Sequence, residues 1–273
     1  MFDCFRRVSL VCAVAISCLL PAHAQKVTKD IPYTAGADDP QAGDLYEPSG
    51  PGPFPAIVYI HGGSWRSGNK SEFHALAADL ATQGYAGFSI NYDLQPHSFP
   101  TSFHEAQTAV RFLRTHAAEY HIDPNQIVVL GESAGGELAG LVALATGDSS
   151  AAVSAAVIFN GAYRLSASIG VIARYLGVKR EKERRLFKEA SPFAQIHPGA
   201  PPFFVGHGTA DHIVPYSEAQ LFIQALQEQN VPVTTYVADG GHHSYWKRSK
   251  FYASNLAAVK TFLATTLHPA VQP

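Results

Sequence analysis

The sequence predicts an α/β protein with a mainly parallel central sheet and helices on both faces. Three observations carry this. Short unbroken apolar runs alternate with longer runs of helical spacing along most of the chain. Turn residues punctuate the alternation, and the residues able to do chemistry fall in glycine-rich turns that follow apolar runs. Strands apolar along their whole length suit a sheet buried on both faces, and in such sheets ligands gather at the carboxyl ends of the strands.

Taken in order, the Pro/Gly-rich run from Pro48 to Pro55 reads as a turn between an early strand and the next. Ala56–Ile60 is a buried strand, Phe73–Gln83 a helix stopped by Gly84, and Ala86–Ile90 again a strand. Phe103–Tyr120 is helical, with Ala106, Ala109, Val110, Leu113 and Ala117 on one face. Asp123-Pro124 marks a turn before the strand Ile127–Leu130. A helix of small residues, Ala134–Ala145, follows. Strands are expected at Ala155–Phe159, Phe203–Val205 and Val233–Val237, and helices at Ser217–Asn230 and Phe251–Leu267. Arg164–Ser191 interrupts the pattern. Its Arg, Lys and Glu residues around Leu176, Leu186 and Phe187 read as a solvated amphipathic helix pair, the alternative being a cap that helps select a substrate.

Residues 1–24 read as an export signal. Arg6-Arg7 precede the thirteen-residue apolar stretch Val8–Leu20, and Ala22-His23-Ala24 offers small residues for cleavage. That stretch is shorter than the roughly 20 residues a membrane span needs, so no stable membrane insertion is expected. A secreted or periplasmic protein beginning near Gln25 follows. All three cysteines (Cys4, Cys12, Cys18) lie in the removed segment, which excludes disulfides, a cysteine nucleophile and thiolate metal sites from the rest. No linker or repeat divides residues 25–273, so one domain is expected. With 47% hydrophobic and 15% charged residues the chain is a globular protein rather than a disordered one. Its net charge of −2, without a basic stripe, gives nucleic-acid binding no electrostatic support.

Gly131-Glu132-Ser133-Ala134-Gly135 matches G-x-S-x-G between a predicted strand and a predicted helix. A serine hydroxyl attacks only when a sharp turn exposes it to a base, and flanking glycines leave room for that turn. His61-Gly62-Gly63-Ser64-Trp65 also follows a buried strand. It reads either as a plain glycine turn or as an oxyanion hole, in which the N–H groups of Gly63 and Ser64 join that of Ala134. His61 is expected to brace this loop. Trp65 and Tyr92 are expected to line the pocket. Asp211, in a turn after the strand Phe203–Val205, is the candidate acid, with Asp239 its rival. The base lies in Asp239-Gly240-Gly241-His242-His243-Ser244-Tyr245, where only one histidine of the pair can face Ser133. No third histidine or carboxylate stands at ligand spacing, so neither a metal nor a cofactor is expected.

Several stretches together resemble the esterase/lipase group of α/β-hydrolases, and most closely its BD-FAE-like branch, related to the hormone-sensitive lipase and kynurenine formamidase families. They are His61–Trp65, DPNQIVVLGESAGG at 123–136, ASPF at 190–193, APPFFVGHGTADHIVP at 200–215 and GGHHSY at 240–245. The resemblance implies the α/β-hydrolase fold and a serine carboxylesterase with Ser133 as nucleophile, Asp211 as acid, and Gly63, Ser64 and Ala134 as oxyanion donors. Its usual Gly-x-x-His register selects His243 as base, and a shorter Gly-His register would select His242. Expected substrates are short acyl or aryl esters, or acetyl and feruloyl esters on polysaccharide. A prolyl-oligopeptidase-like peptidase and a formamidase-type amidase are the alternatives. Ser64 stands where many relatives have glycine, and Asn91-Tyr92-Asp93-Leu94 where they often show Asn-Tyr-Arg-Leu, which would put an anion near the pocket.

Overall fold

The computed structural model describes residues 26–34, 41–95, 99–166, 170–178 and 184–267. The signal-sequence expectation and all three cysteines lie outside these residues.

Among the described residues the strands β1 (Lys26–Pro32), β2 (Ala42–Glu47), β3 (Phe54–Ile60), β4 (Ala86–Ile90), β5 (Ile122–Glu132), β6 (Ala155–Phe159), β7 (Phe203–Gly208) and β8 (Val233–Ala238) form one sheet. Their order is β1-β2-β4-β3-β5-β6-β7-β8. From β4 to β8 every pairing is parallel, whereas β2 runs antiparallel to β4 and β1 antiparallel to β2. β1 was not legible in the sequence because it is a largely exposed edge strand, so burial imposes no apolar pattern on it. β5 begins earlier than the Asp123-Pro124 turn suggests. The register slips there, Phe54 pairing with Ile122 and Ala56 with Ile127, and the irregular ladder accommodates the proline.

Successive strand residues point to opposite faces, and each face has its own helices. Val58 and Ile60 of β3, Val129 of β5 and Ile158 of β6 pack beneath α2 (Thr101–Thr115), α3 (Ala134–Leu144) and α7 (Tyr216–Glu228). Ile57 and Tyr59, with Val128, Leu130 and Val157, pack beneath α1 (His74–Ala81) and α8 (Ser249–Thr266). Cover on both faces is the reason the inner strands carry no polar alternation. α3 is buried at every position, which explains its unbroken Ala, Gly, Leu and Val composition apart from Glu137.

The segment that interrupts the alternation contains α4 (Gly170–Tyr175) and α5 (Arg184–Glu189), and the one-turn α6 (Pro192–Gln195) follows it. The expectation of a solvated helix pair gives way here. Leu165, Ile172, Tyr175, Leu176, Val178, Phe187 and Ala190 are buried and form a third apolar cluster with Trp65 and Ala134, above the carboxyl ends of the strands. The exposed positions of the two helices, among the described residues, include Arg174 of α4 and Arg185, Lys188 and Glu189 of α5. Helices of six residues are too short to show a period, so their buried face was hidden among the charges.

Phe222 ties α7 to this arrangement. It is fully buried, stacks on Tyr163 with ring centroids 4.4 Å apart, and meets Phe203 of β7 edge-on at 5.6 Å. Phe222→Ala is expected to lower unfolding stability by about 3–5 kcal/mol, measured as a reduced denaturant midpoint at unchanged slope.

Candidate active site

Ser133 occupies the turn between β5 and α3, with φ 56° and ψ −117°, a conformation that strains a side-chain-bearing residue. The turn is held on both sides. Its N–H donates to the Phe159 carbonyl (3.0 Å), and its carbonyl accepts from the amides of Glu137 (3.1 Å) and Ala162 (3.3 Å). A Cβ at Gly131 would sit 2.0 Å from the Gly135 carbonyl oxygen, and one at Gly135 would sit 2.0 Å from that of Ile60. The two glycines are therefore what lets α3 start this close to the ends of β5 and β3. Ala134 is the first residue of α3, so its N–H has no partner within the helix.

The acid is built from three segments. The Asp211 side chain is fully buried at the turn after β7. Its Oδ1 accepts from the amides of Ile213 (2.8 Å) and Val214 (3.0 Å). Its Oδ2 accepts from Asn160 Nδ2 (2.6 Å), beyond the end of β6, and from His243 Nδ1 (2.7 Å). Burial alone would raise the Asp211 pKa. Hydrogen bonds from His207, His243 and the Val214 amide outweigh it and hold the carboxyl far below the ordinary carboxylate range. His207 Nε2, on β7, donates to the Val214 carbonyl at 2.9 Å and lies 3.3 Å from Asp211 Oδ2. Asp239, the rival acid, is exposed and accepts from Thr209 Oγ1 (3.2 Å).

The loop after β8 brings one histidine to the serine. His243 Nε2 is 2.9 Å from Ser133 Oγ. With Nδ1–H donating to Asp211, Nε2 is left to accept from the serine hydroxyl. His242 is exposed and donates from Nδ1 to the Ala210 carbonyl (3.0 Å). Burial pulls the His243 pKa down, but the hydrogen bond to Asp211 and the charges of Glu132 and Asp211 raise it, leaving it above the ordinary imidazole value.

Glu132 is a second carboxylate that sequence reasoning passed over as the variable residue of G-x-S-x-G. Its Oε1 accepts from Ser244 Oγ (2.5 Å) and lies 3.6 Å from His243 Nε2. Burial raises its own pKa, against the Ser244 hydrogen bond and the neighbouring His243.

The loop after β3 turns through positive φ at Gly63, Ser64 and Trp65. Ser64 and Ala134 line a cavity of about 460 Å³ beside Ser133, together with Trp65, Tyr163, Ile172 and Ile213. Gly63 is not among the lining residues; its carbonyl accepts from the amides of Arg66 and Ser67. Trp65 thus walls the cavity, but Tyr92 does not. Tyr92 is buried, stacks on His61 at 4.3 Å, and its hydroxyl donates to the His61 carbonyl (2.9 Å), so it supports the loop from behind. The charge of Asp93 also faces away, accepting from Gln41 Nε2 at 2.5 Å.

Glu137 fastens the same loop to the cap. Trp65 Nε1 donates to its Oε2 (3.1 Å), and Trp65 stacks on Tyr175 of α4 at 4.3 Å. Burial pushes the Glu137 carboxyl well above the carboxylate range, against hydrogen bonds from Trp65 and Tyr175. A lone acid in an otherwise apolar helix was a signal present in the sequence. Asn160 and Ser244 carried none, since polar residues are common in turns and the positive φ each adopts is not readable from the sequence.

This arrangement can transfer the Ser133 proton to His243, stabilise the resulting imidazolium on Asp211, and present amides to a developing oxyanion. A titration of the His243 ring by NMR is expected to give a midpoint above that of an unperturbed histidine side chain. In Glu132→Gln, which keeps an acceptor for Ser244 but loses the charge, the midpoint should move to lower pH. An unmoved midpoint would remove Glu132 from the electrostatics of this histidine.

Comparison with known proteins places this chain in a family. The BD-FAE family model matches residues 44–226. Esterase LipQ of Mycobacterium tuberculosis (strain ATCC 25618 / H37Rv) is 30% identical over 240 residues, covering 80% of this chain and 57% of LipQ. The probable carboxylic ester hydrolase LipM of the same organism is 32% identical over 247 residues, covering 81% and 57%. The chain thus spans a little over half the length of these relatives. A thermophilic esterase of Thermogutta terrifontis, Est2, solved with butyrate bound, superposes with a TM-score of 0.78 at 26% identity, covering 93% of this chain and 98% of that one. The chain belongs to the BD-FAE family and has the α/β-hydrolase fold.

Proposed function

We propose that this protein is a serine carboxylesterase acting on short acyl or aryl esters. The observation that carries the reading is the unbroken series from Ser133 Oγ through His243 to Asp211, with links of 2.9 and 2.7 Å, starting from a serine on a strained strand-to-helix turn.

In this reading His243 Nε2 takes the Ser133 proton as Oγ attacks the ester carbonyl. The amides of Ser64 and Ala134, with that of Gly63 behind them, receive the oxyanion. The imidazolium, stabilised by Asp211 and by the charge of Glu132, then gives its proton to the leaving alcohol, and water releases the acid from the acyl-enzyme by the same steps in reverse. A cavity of about 460 Å³, with Val171 and Ile172 of α4 in its wall, has the size to hold a small ester beside Ser133. A small ester group presented on a polysaccharide is the wider form of the same class. The carboxylic ester hydrolase relatives support ester over amide cleavage.

Ser133→Ala is expected to abolish turnover of 4-nitrophenyl acetate and butyrate while leaving the circular dichroism spectrum unchanged. Asp211→Asn should lower kcat by about 10⁴-fold, because the imidazole loses its held tautomer. A panel from acetate to palmitate, with methyl ferulate, acetylated xylan, a prolyl anilide and N-formylkynurenine, tests the substrate class. Turnover of the anilide or the formamide ahead of every ester would replace this reading with the peptidase or the amidase.

A further inference from the structure

The charged groups lining the cavity, among the described residues, are Arg164 at the base of the cap and Glu218 in the first turn of α7. They meet fork to fork. Arg164 Nε donates to Glu218 Oε2 at 2.8 Å and Nη2 to Oε1 at 2.6 Å, and the guanidinium lies 5.6 Å from the centre of the Phe193 ring. The remaining lining includes Trp65, Val171, Ile172 and Ile213, none of which could satisfy a charged substrate group. A guanidinium is the side chain best shaped to hold a carboxylate, and here its Nε/Nη2 fork is taken by the protein's own carboxylate, which balances its charge although N–H groups on the Nη1 side remain.

We propose that Glu218 is a specificity-determining residue: by occupying Arg164 it makes the cavity select uncharged esters and reject those bearing a carboxylate. This deepens the esterase reading and rests on it. Among the described residues, a carboxylate on the substrate finds no cation on the cavity wall whose charge is not already balanced by Glu218. With the glutamate charge removed, Arg164 becomes a receptor for that carboxylate. With the arginine charge removed, Glu218 becomes an unpaired anion on the wall and discrimination deepens. The pair is partly open to solvent, Arg164 more so than Glu218, so the effect is bounded by water and salt.

Two matched pairs of substrates test this. 4-Nitrophenyl hexanoate and mono(4-nitrophenyl) adipate differ by a carboxylate on the acyl side. Phenyl acetate and 4-acetoxybenzoate differ by one on the alcohol side. The readout is the ratio of kcat/KM for the anionic ester to that for the neutral one, which cancels differences in active fraction between variants. The wild type is expected to favour the neutral ester in both pairs. Glu218→Gln should raise the ratio about tenfold in at least one pair, the pair identifying which side of the ester faces Arg164, and added salt should erode the gain. Arg164→Gln should lower the ratio, so the proposal stays open to test even where one variant folds poorly. Ratios in both variants within twofold of the wild type in both pairs overturn the role of Glu218. A wild type that cleaves none of the four esters overturns the esterase reading instead, an outcome visible before any variant is made.

Discussion

The contact on which the rest depends is the approach of the α3 backbone to the ends of β3 and β5. Gly131 and Gly135 put main chain against main chain where any Cβ would collide with a carbonyl oxygen at 2.0 Å. Because α3 starts there, the unpaired amide of Ala134 sits beside the loop from His61 to Trp65, and both lie beside the Ser133 hydroxyl. The strained conformation of Ser133 is sustained by main-chain hydrogen bonds with Phe159 of β6 and Ala162 beyond it, besides the first bond of α3 from Glu137, so the strain is held by the neighbouring strand and not by the turn alone.

Around that contact the protein keeps its carboxyl groups in different states by controlling what they touch. Asp211 is buried yet held far below the ordinary range, because two amides, Asn160 and two histidines direct N–H groups toward it. Glu137 is equally buried but has only Trp65 and Tyr175 as donors, and its pKa goes up. The first group is thereby suited to holding a positive imidazole in place. The second favours its neutral form, in keeping with a joint between the loop after β3 and the cap. Glu132 lies between these extremes, with one hydroxyl donor and a histidine close by. Burial is common to all three, and the hydrogen-bond donors together with the positive charges beside each group decide the outcome.

The loops at the carboxyl ends of the strands divide the labour by depth. His61 and Tyr92 stack beneath the loop after β3 and fix its path without reaching the cavity. Above them Trp65 belongs both to the loop and, through Tyr175, to the cap. The cap is thus joined to the loop that presents amides beside Ser133, by aromatic stacking and one buried acid. Arg164 and Glu218 close the same cavity with a matched pair of charges, where the rest of its wall is mostly apolar.

The linear sequence determined the fold class and the inner elements, because those strands and helices are buried on faces whose period the residues must follow. It also picked out Ser133 and its flanking glycines, Asp211 and the two histidines as candidates, because a sharp strand-to-helix turn restricts residue type locally. The residue pattern alone did not separate the two histidines; the family register selected His243, and the tertiary structure shows what distinguishes them. His242 and His243 are chemically identical neighbours, and only the path of the loop after β8 separates one that meets the Ala210 carbonyl from one that meets Ser133 and Asp211. The same holds for Tyr92, which sequence placed in the pocket and packing placed behind it. It holds too for Asn160, Glu132 and Ser244, and for the cap, whose buried side is spread over helices too short to show a period. These depend on contacts between residues up to 112 positions apart, as in Ser244 to Glu132, and no local pattern encodes a distance through space.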